Sequence, residues 1–211
     1  MKPLVVLLHG LARGPGSMAR LGAHLDAQGF DTWSHAYPSR RASLAEIAEE
    51  LADAIVGTAG GRPISAVTHS MGGVVARHLQ DPRIAWHRIV MLAPPNQGSQ
   101  LAQAIAASPV LRWIYGPAGG ELADGSRWPA PPAPFAVIAG TRSLALTNPT
   151  SWTLGRTFPP GIAHDGTVAV DETRLAGMTD FTTVDATHTW IMNDPRVHQL
   201  VVRYLARGSF V

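Results

Sequence analysis

Residues 64–80 constrain the fold of this chain more than any other stretch. A short apolar, β-branched run, Ile64–Val67, ends at a polar segment that contains Ser70, and two glycines and an apolar segment at helical spacing follow. This order predicts a strand, a sharp turn and a helix, with the serine on the turn. The turn pushes the serine hydroxyl out of the sheet, and the N–H of Met71 lies at a helix N-terminus, where partial positive charge collects. The stretch therefore predicts a nucleophile beside an oxyanion donor, as acyl transfer requires.

The length and composition favour one domain over residues 1–211. Hydrophobic residues make up 45% of the chain and charged residues 15%, which suits a sheet buried on both faces. The net charge of +2 is small and no block of five like charges occurs, so no nucleic-acid partner is predicted. The chain has no cysteine, which excludes disulfides and thiolate metal sites.

The sequence predicts neither an export signal nor a membrane span. Lys2 precedes an apolar run at residues 4–8, which is too short for the hydrophobic region of a signal peptide. No stretch approaches the roughly 20 apolar residues needed to cross a bilayer. The expectation is therefore a cytoplasmic protein.

Strand patterns alternate with helix patterns along the chain. Ser43 and Glu46 form a capping box in front of one amphipathic helix, Ser17 is placed to cap an earlier helix that stops at Gly29, and Pro195–Arg207 reads as a further helix. The predicted strands cover residues 4–8, 30–37, 64–67, 88–92, 135–139 and 181–184. The alternation predicts an α/β fold with about six mostly parallel strands flanked by helices.

Two segments interrupt this alternation. Residues 108–134 are rich in proline and glycine and carry Trp113, and residues 141–163 carry Trp152. Both are expected to be poor in regular structure. They are either lids or pocket walls, or packed excursions over the surface.

The residues of the turn resemble a known family. Thr68-His69-Ser70-Met71-Gly72-Gly73 resembles the nucleophile elbow, G-x-S-x-G, of the α/β hydrolases, and in particular of small bacterial lipases and esterases and the related enzymes that deacylate lipid anchors. Thr68 replaces the usual first glycine; because threonine is larger and stiff at χ1, the elbow must open slightly or its neighbours must be small. The resemblance implies a reduced α/β-hydrolase fold with little cap, acting without a cofactor or a metal.

A second match follows the first predicted strand. In lipase-like hydrolases a His-Gly pair at this place precedes the second oxyanion donor, which implies the backbone N–H of Leu11. Gly10 allows the sharp bend that aims this N–H, and His9 is expected to orient the loop rather than transfer protons. A phosphate-binding loop is the other reading, but the lysine and the Ser/Thr of a P-loop are missing.

Asp165 and His188 complete the resemblance. Asp165 opens an Asp-Gly-x-Val segment similar to the acid loop of the lipase relatives, and His188 is the only histidine in a loop after the last predicted strand. The order Ser70, Asp165, His188 is that of α/β hydrolases. It implies that the serine attacks an ester carbonyl, the histidine moves the proton and the aspartate holds the histidine tautomer.

Other titratable residues compete for these roles. His69 is expected to point away from Ser70, and the pair Asp171-Glu172 is either a solvated loop pair or part of a cation site, although no complete set of metal ligands is recognisable. The competing acids are Asp171, Asp180 and Asp185, the last only three residues before His188.

The predicted function is hydrolysis of carboxylic esters through an acyl-enzyme, with Met71 and Leu11 as oxyanion donors. The predicted substrate-binding residues are Gly10, Gln97, Trp113, Trp152 and Trp190. Tryptophans near the mouth favour apolar acyl esters over charged substrates, so the expected partners are a small acyl ester and, transiently, a lipid surface. The alternatives are an acyltransferase, a thioesterase or an amidase with the same triad, or a non-catalytic binding protein on this fold. The sequence predicts no oligomeric state.

Overall fold

A computed structural model describes residues 1–143 and 158–211, and within them lies a single parallel sheet. The sheet has the spatial order β2-β1-β3-β4-β5-β6, and every neighbouring pair of strands is parallel. Its strands are β1 (Leu4–Leu8), β2 (Asp31–Ser34), β3 (Ile64–His69), β4 (Trp86–Leu92), β5 (Phe135–Gly140) and β6 (Asp180–Val184). This arrangement confirms the predicted α/β fold.

Helices connect the strands. They are α1 (Ala19–Ala27), α2 (Leu44–Ala59), α3 (Met71–His78), α4 (Gln100–Ala107), α5 (Pro109–Glu121), α6 (Val170–Thr173) and α7 (Pro195–Arg207), with short 3-10 helices at Pro15–Met18 and Ile191–Asn193. Among the described residues, none of these helices combines the length and the apolar character that a bilayer crossing requires.

Both faces of the sheet are covered because successive side chains of a strand point to opposite sides. Leu4, Val6 and Leu8 of β1 pack in one cluster with α2 and α3. Val5 and Leu7 pack in another cluster with α1 and α7. All five residues of β1 are buried, which explains the uninterrupted apolar run in the sequence.

Local signals in the sequence account for some helix ends. The Ser43 hydroxyl accepts a hydrogen bond from the Glu46 N–H at 3.2 Å, and the Glu46 carboxylate accepts one from the Ser43 N–H at 2.8 Å, so the predicted capping box is confirmed. The predicted cap at Ser17 is wrong, since its hydroxyl donates to the Gly14 carbonyl within a 3-10 turn. Gly29 follows the end of α1 with φ of +80°, as expected of a helix stop.

The prediction that residues 108–134 lack regular structure is wrong for their first half, which forms α5. The helix bends at Gly116, where φ is 74° and a Cβ atom would lie 1.8 Å from the Arg40 carbonyl oxygen. Pro109 starts α5, and Pro117 follows the bend, where a proline without an N–H opens a second helical stretch at little cost. The glycines and prolines that suggested a loop therefore mark the ends of two short helical stretches.

Strand β2 is shorter than the predicted residues 30–37. Beyond Ser34 the chain leaves the sheet, and the Tyr37 hydroxyl donates a hydrogen bond to the His9 carbonyl while its ring stacks on the His9 ring. Tyr37 thus supports the loop after β1 instead of extending the sheet.

Candidate active site

Ser70 stands at the junction of β3 and α3 in a strained backbone conformation. Its φ of 53° and ψ of −124° lie outside the regions that a serine ordinarily adopts. Such a conformation costs about 1–3 kcal/mol and persists only where the surroundings enforce it. The Ser70 N–H donates to the Leu92 carbonyl at 2.9 Å, which fixes the turn against the end of β4.

The residues around Ser70 explain how this elbow accommodates Thr68. Gly72 lies against β1, where a Cβ atom would be 2.6 Å from the Leu8 carbonyl oxygen. A Cβ atom at Gly73 would lie 3.2 Å from the Thr68 hydroxyl and 3.0 Å from Pro94 Cβ. The larger threonine is therefore tolerated because the neighbour facing it is a glycine, one of the two solutions expected from the sequence.

Hydrogen bonds connect Ser70, His188 and Asp165 in series. The Ser70 Oγ lies 2.9 Å from His188 Nε2, and His188 Nδ1 lies 2.7 Å from Asp165 Oδ2. A carboxylate accepts the proton of Nδ1, so Nε2 is left with its lone pair facing the serine hydroxyl. The structure thus brings the three predicted residues together, although Ser70 and His188 are 118 positions apart in the sequence.

The Asp165 carboxylate is buried and held from two sides. Its Oδ1 atom accepts hydrogen bonds from the N–H groups of Thr167 at 3.0 Å and Val168 at 2.8 Å, which leaves Oδ2 for His188. Asp165 does not directly follow a strand. The chain instead returns it to the end of β5, where a Cβ atom at Gly140 would lie 2.8 Å from Asp165 Cβ. The glycine makes this close return possible.

The competing acids are engaged elsewhere. Asp185 pairs with Arg142 at 2.6 Å on the surface, and Asp180 accepts the N–H of Phe210 at 2.6 Å. Asp171 lies 3.6 Å from Arg174 and is exposed. None of the three is bonded to His188.

His69 supports the backbone of His188. Its Nε2 atom donates to the His188 carbonyl at 3.0 Å, and the two rings lie 4.9 Å apart. Burial, together with the neighbouring imidazole of His188 and the guanidinium of Arg13, lowers the pKa of His69 well below its usual range, so the ring stays neutral. The sequence predicts that His69 points away from Ser70, yet it borders the same cavity.

Of the two predicted oxyanion donors, one directly follows the serine in the sequence and the other borders the same cavity. Met71 is the first residue of α3, where N–H groups have no acceptor within the helix, and Leu11 borders the cavity that contains Ser70. The loop that carries Leu11 is fixed by the Ala12 N–H, which donates to the Ser39 hydroxyl at 3.1 Å, and by Tyr37.

A cavity of 490 Å³ opens over Ser70 and His188. Its volume is in the range of small-molecule sites. Other described residues also line the cavity. They come from the loop after β1, the loop between β4 and α4, the start of α4, α5 and the residue after it, the acid loop, and the loop that carries His188: Gly10, Leu11, Ala12, Arg13, Pro95, Ser99, Ala102, Tyr115, Leu122, Thr167, Val168 and Thr189.

Of the predicted substrate-binding residues, Gly10 lines the cavity, whereas Gln97, Trp113 and Trp190 are not among its described lining residues. The Gln97 amide donates to the carbonyls of Asp171 and Arg174 at 3.2 Å and ties two loops together. Trp113 and Trp190 are 85% and 46% exposed, because each faces outward from its element. Trp152 lies outside the described residues.

Sequence reasoning missed three lining residues in particular. Tyr115 and Leu122 come with α5, which the sequence did not predict as a helix, so their helical spacing went unused. Arg13 stands two residues after Leu11, and this proximity to the predicted oxyanion donor could have identified it.

The two members of the pair Asp171-Glu172 have different surroundings: Asp171 is exposed beside Arg174, and Glu172 binds the backbone. The Glu172 carboxylate accepts the N–H groups of Ala169 at 2.8 Å and Gln100 at 3.0 Å, and burial raises its pKa. Within residues 1–143 and 158–211, no cluster of three or more histidine, aspartate or glutamate side chains has a geometry suited to a metal ion.

Comparison with known protein families agrees with the observed α/β fold. A sequence model described as the alpha/beta hydrolase family matches residues 5–211. No curated protein sequence gives a significant match.

Solved structures share the fold at low sequence identity. A lipase of Bacillus licheniformis, BlEst2 in its mature form, is 21% identical with a TM-score of 0.80, covering 97% of this chain and 92% of its own. A metagenomic carboxyl esterase, MGS0156, is 19% identical with a TM-score of 0.70, covering 98% and 76%. RedJ, a thioesterase from the prodiginine biosynthetic pathway of Streptomyces coelicolor, is 14% identical with a TM-score of 0.60, covering 97% and 89%.

Proposed function

Since this chain belongs to the alpha/beta hydrolase family, we propose that it is an enzyme that hydrolyses carboxylic esters through an acyl-enzyme intermediate. The observation that carries the proposal is the series of hydrogen bonds from Ser70 to His188 to Asp165, with the strained serine facing a 490 Å³ cavity. Strain at a residue that also borders a cavity and a histidine favours a catalytic role over a structural one.

The geometry supports the following acylation step. Ser70 Oγ attacks the ester carbonyl carbon while its proton passes to His188 Nε2 over the 2.9 Å hydrogen bond. The carbonyl oxygen becomes an oxyanion, which the N–H groups of Met71 and Leu11 stabilise; in comparable sites one such donor contributes about 2.7–4 kcal/mol. The proton of His188 then moves to the leaving alcohol as the C–O bond breaks, which leaves the acyl group on Ser70.

Deacylation repeats the same proton path with water. His188 Nε2 removes a proton from water as the water oxygen attacks the acyl carbon, and returns the proton to Ser70 Oγ as the acid departs. The imidazolium that forms in each step lies 2.7 Å from the Asp165 carboxylate, which stabilises its charge.

The first test is hydrolysis of p-nitrophenyl esters from acetyl to palmitoyl by the wild type and by Ser70→Ala. We expect kcat/KM to fall by at least about 10³-fold in the variant, because removal of a triad nucleophile leaves only binding and oxyanion contributions. Ser126→Ala, which changes an exposed serine in the loop after α5, is the matched control and should retain wild-type rates.

Covalent labelling and product analysis complete the test. A fluorophosphonate should modify Ser70 alone, and a folded protein that neither reacts with it nor cleaves any ester would be a binding protein. Competing alcohols and amines distinguish a hydrolase from an acyltransferase. An acyltransferase would transfer the acyl group to them faster than to water, whereas a hydrolase would transfer it mainly to water.

A further inference from the structure

Arg13 places a guanidinium group in the wall of the cavity that contains Ser70. It follows the Leu11 oxyanion position by two residues and borders the cavity together with Gly10, Leu11 and Ala12. The side chain is half-buried, and it is close enough to the buried rings of His9 and His69 for its charge to lower the pKa of both. Arginine stays protonated in proteins, so the cavity carries a fixed positive charge.

This charge has no partner in the described part of the chain. The arginines that form ion pairs in this part of the chain are Arg62, Arg83, Arg142, Arg174 and Arg196. By contrast, the guanidinium of the buried Arg77 donates hydrogen bonds to the carbonyls of Asn96, Trp128 and Pro129. An arginine with a structural role is thus hydrogen-bonded in this protein. Partial burial of an unpaired cation costs free energy, and an anionic ligand would offset that cost.

The loop that carries Arg13 is fixed before any ligand arrives. The Ala12 N–H donates to the Ser39 hydroxyl at 3.1 Å, the Tyr37 hydroxyl donates to the His9 carbonyl, and the Arg13 N–H donates to the Gly10 carbonyl at 3.3 Å. A preorganised cation binds an anion without the entropy cost of ordering its own loop.

Two more unpaired arginines stand next to this loop. Arg40 and Arg41 line a shallow depression of 280 Å³ together with Ala12 and Arg13, which border the Ser70 cavity as well. Both are exposed, and neither takes part in the ion pairs of residues 1–143 and 158–211. Three positive charges along one rim raise the local concentration of anions at the cavity mouth.

We infer that the substrate of Ser70 is an ester that carries an anionic group, a carboxylate or a phosphate, which Arg13 binds inside the cavity and which Arg40 and Arg41 attract to its mouth. The inference rests on the proposed ester hydrolysis and names its substrate class. It replaces the expectation of an apolar, uncharged ester, which depended on tryptophans near the cavity mouth. Of these, Trp113 and Trp190 are not among the described lining residues, and Trp152 lies outside the described residues. The remaining lining residues Pro95, Ala102, Leu122 and Val168 offer an apolar wall for the rest of the acyl or alcohol chain.

Matched pairs of esters that differ only in charge test this inference. One pair places the anion on the acyl side, mono-p-nitrophenyl glutarate against its methyl ester, and the other places it on the alcohol side, 1-butyrylglycerol 3-phosphate against 1-butyrylglycerol. In at least one pair we expect kcat/KM of the anionic ester to exceed that of the neutral one by about tenfold or more at low salt, as charge-assisted hydrogen bonds imply. The pair that responds identifies a combination of anionic group and ester side, acyl carboxylate or alcohol phosphate, that the cavity accepts.

Variants locate the effect. Arg13→Gln should reduce the anionic-to-neutral ratio to about one, Arg13→Lys should retain part of it, and Arg40→Gln combined with Arg41→Gln should lower it less than Arg13→Gln does. Arg207→Gln, at the exposed end of α7, is the matched control and should keep the wild-type ratio. A salt titration of the wild type tests the same point without any substitution. The anionic-to-neutral ratio should fall as sodium chloride rises from about 0.05 to about 0.5 M, since salt screens the exposed arginines.

The outcomes separate the two proposals. Hydrolysis of the neutral esters that depends on Ser70, without preference for either anionic ester, would overturn the inference and leave the proposed function standing. No hydrolysis of any of the four esters, and no fluorophosphonate adduct, would overturn both.

Discussion

The two oxygens of Asp165 have different partners, and this division makes a conservative substitution informative. In Asp165→Asn the amide oxygen can keep the hydrogen bonds from Thr167 and Val168, which places the NH₂ group against His188 Nδ1. The ring must then carry its proton on Nε2, where it cannot accept the proton of Ser70. We expect kcat on p-nitrophenyl esters to fall by about 10³–10⁴-fold with little change in the free energy of unfolding.

Asp185→Asn supplies the control for that prediction. Asp185 is also close to His188 in the sequence, but its carboxylate pairs with Arg142 on the surface. Exposed ion pairs contribute little, so ester hydrolysis should stay within about twofold of the wild type. A large loss of activity in Asp185→Asn with a small one in Asp165→Asn would reverse the assignment of the acid.

At the scale of the elements, the contact of α3 with the end of β1 positions the nucleophile. In Gly72→Ala the new Cβ would lie 2.6 Å from the Leu8 carbonyl oxygen and 2.8 Å from that of His9, and neither backbone group can rotate away. The helix must separate from the strand, so we expect the free energy of unfolding to fall by about 1–3 kcal/mol, together with a loss of esterase activity. Urea denaturation measures the first effect.

Gly57→Ala is the opposite case within α2. A Cβ atom there would meet nothing within 4 Å, and alanine loses less conformational freedom than glycine in a helix. We expect a gain of about 0.5–1 kcal/mol with unchanged activity. Equal destabilisation of both variants would show that the contact with β1 is not the cause of the loss in Gly72→Ala.

The elements differ in how far the sequence predicts them, for physical reasons. Helix α2 is predicted with its cap, because Ser43 and Glu46 act locally and its apolar face is regular. Helix α5 was not predicted, since Gly116 and Pro117 in its interior break the pattern, and the contact that requires Gly116 is with Arg40, far away in the sequence.

The same distinction separates the parts of the site. Ser70, His188 and Asp165 stand in motifs whose short-range pattern implies their position. Which side chains border the cavity depends instead on how distant loops pack. For that reason Gln97, Trp113 and Trp190 are not among the described lining residues, whereas Arg13 and Tyr115, which the sequence does not single out, are.

At the scale of the whole molecule, buried histidines make stability depend on pH. Burial lowers the pKa of His9, His69, His164 and His198 in the folded protein. In the unfolded chain a histidine has a pKa of about 6.5, so below that pH the unfolded state binds more protons and the folded state is disfavoured. Each such group reduces the free energy of unfolding by at most about 1.4 kcal/mol per pH unit.

Urea denaturation between pH 8 and pH 5 tests this dependence. We expect a nearly constant free energy of unfolding above about pH 7 and a progressive loss below about pH 6.5, before the carboxylates begin to titrate. Removing one contributor in His198→Gln should make the slope in this range shallower. A free energy of unfolding that stays constant down to pH 5 would contradict the prediction.

The position of α7 has a consequence for the order in which the protein is made. Val197, Val201 and Tyr204 of this helix cover the apolar cluster formed by Val5 and Leu7 of β1 and its neighbours in the sheet. Translation delivers β1 first and α7 only after all six strands. When the last strand has emerged from the ribosome, one face of the central strands therefore still lacks the helix α7 that covers part of it. During that interval the nascent chain exposes an apolar surface of the kind that chaperones bind.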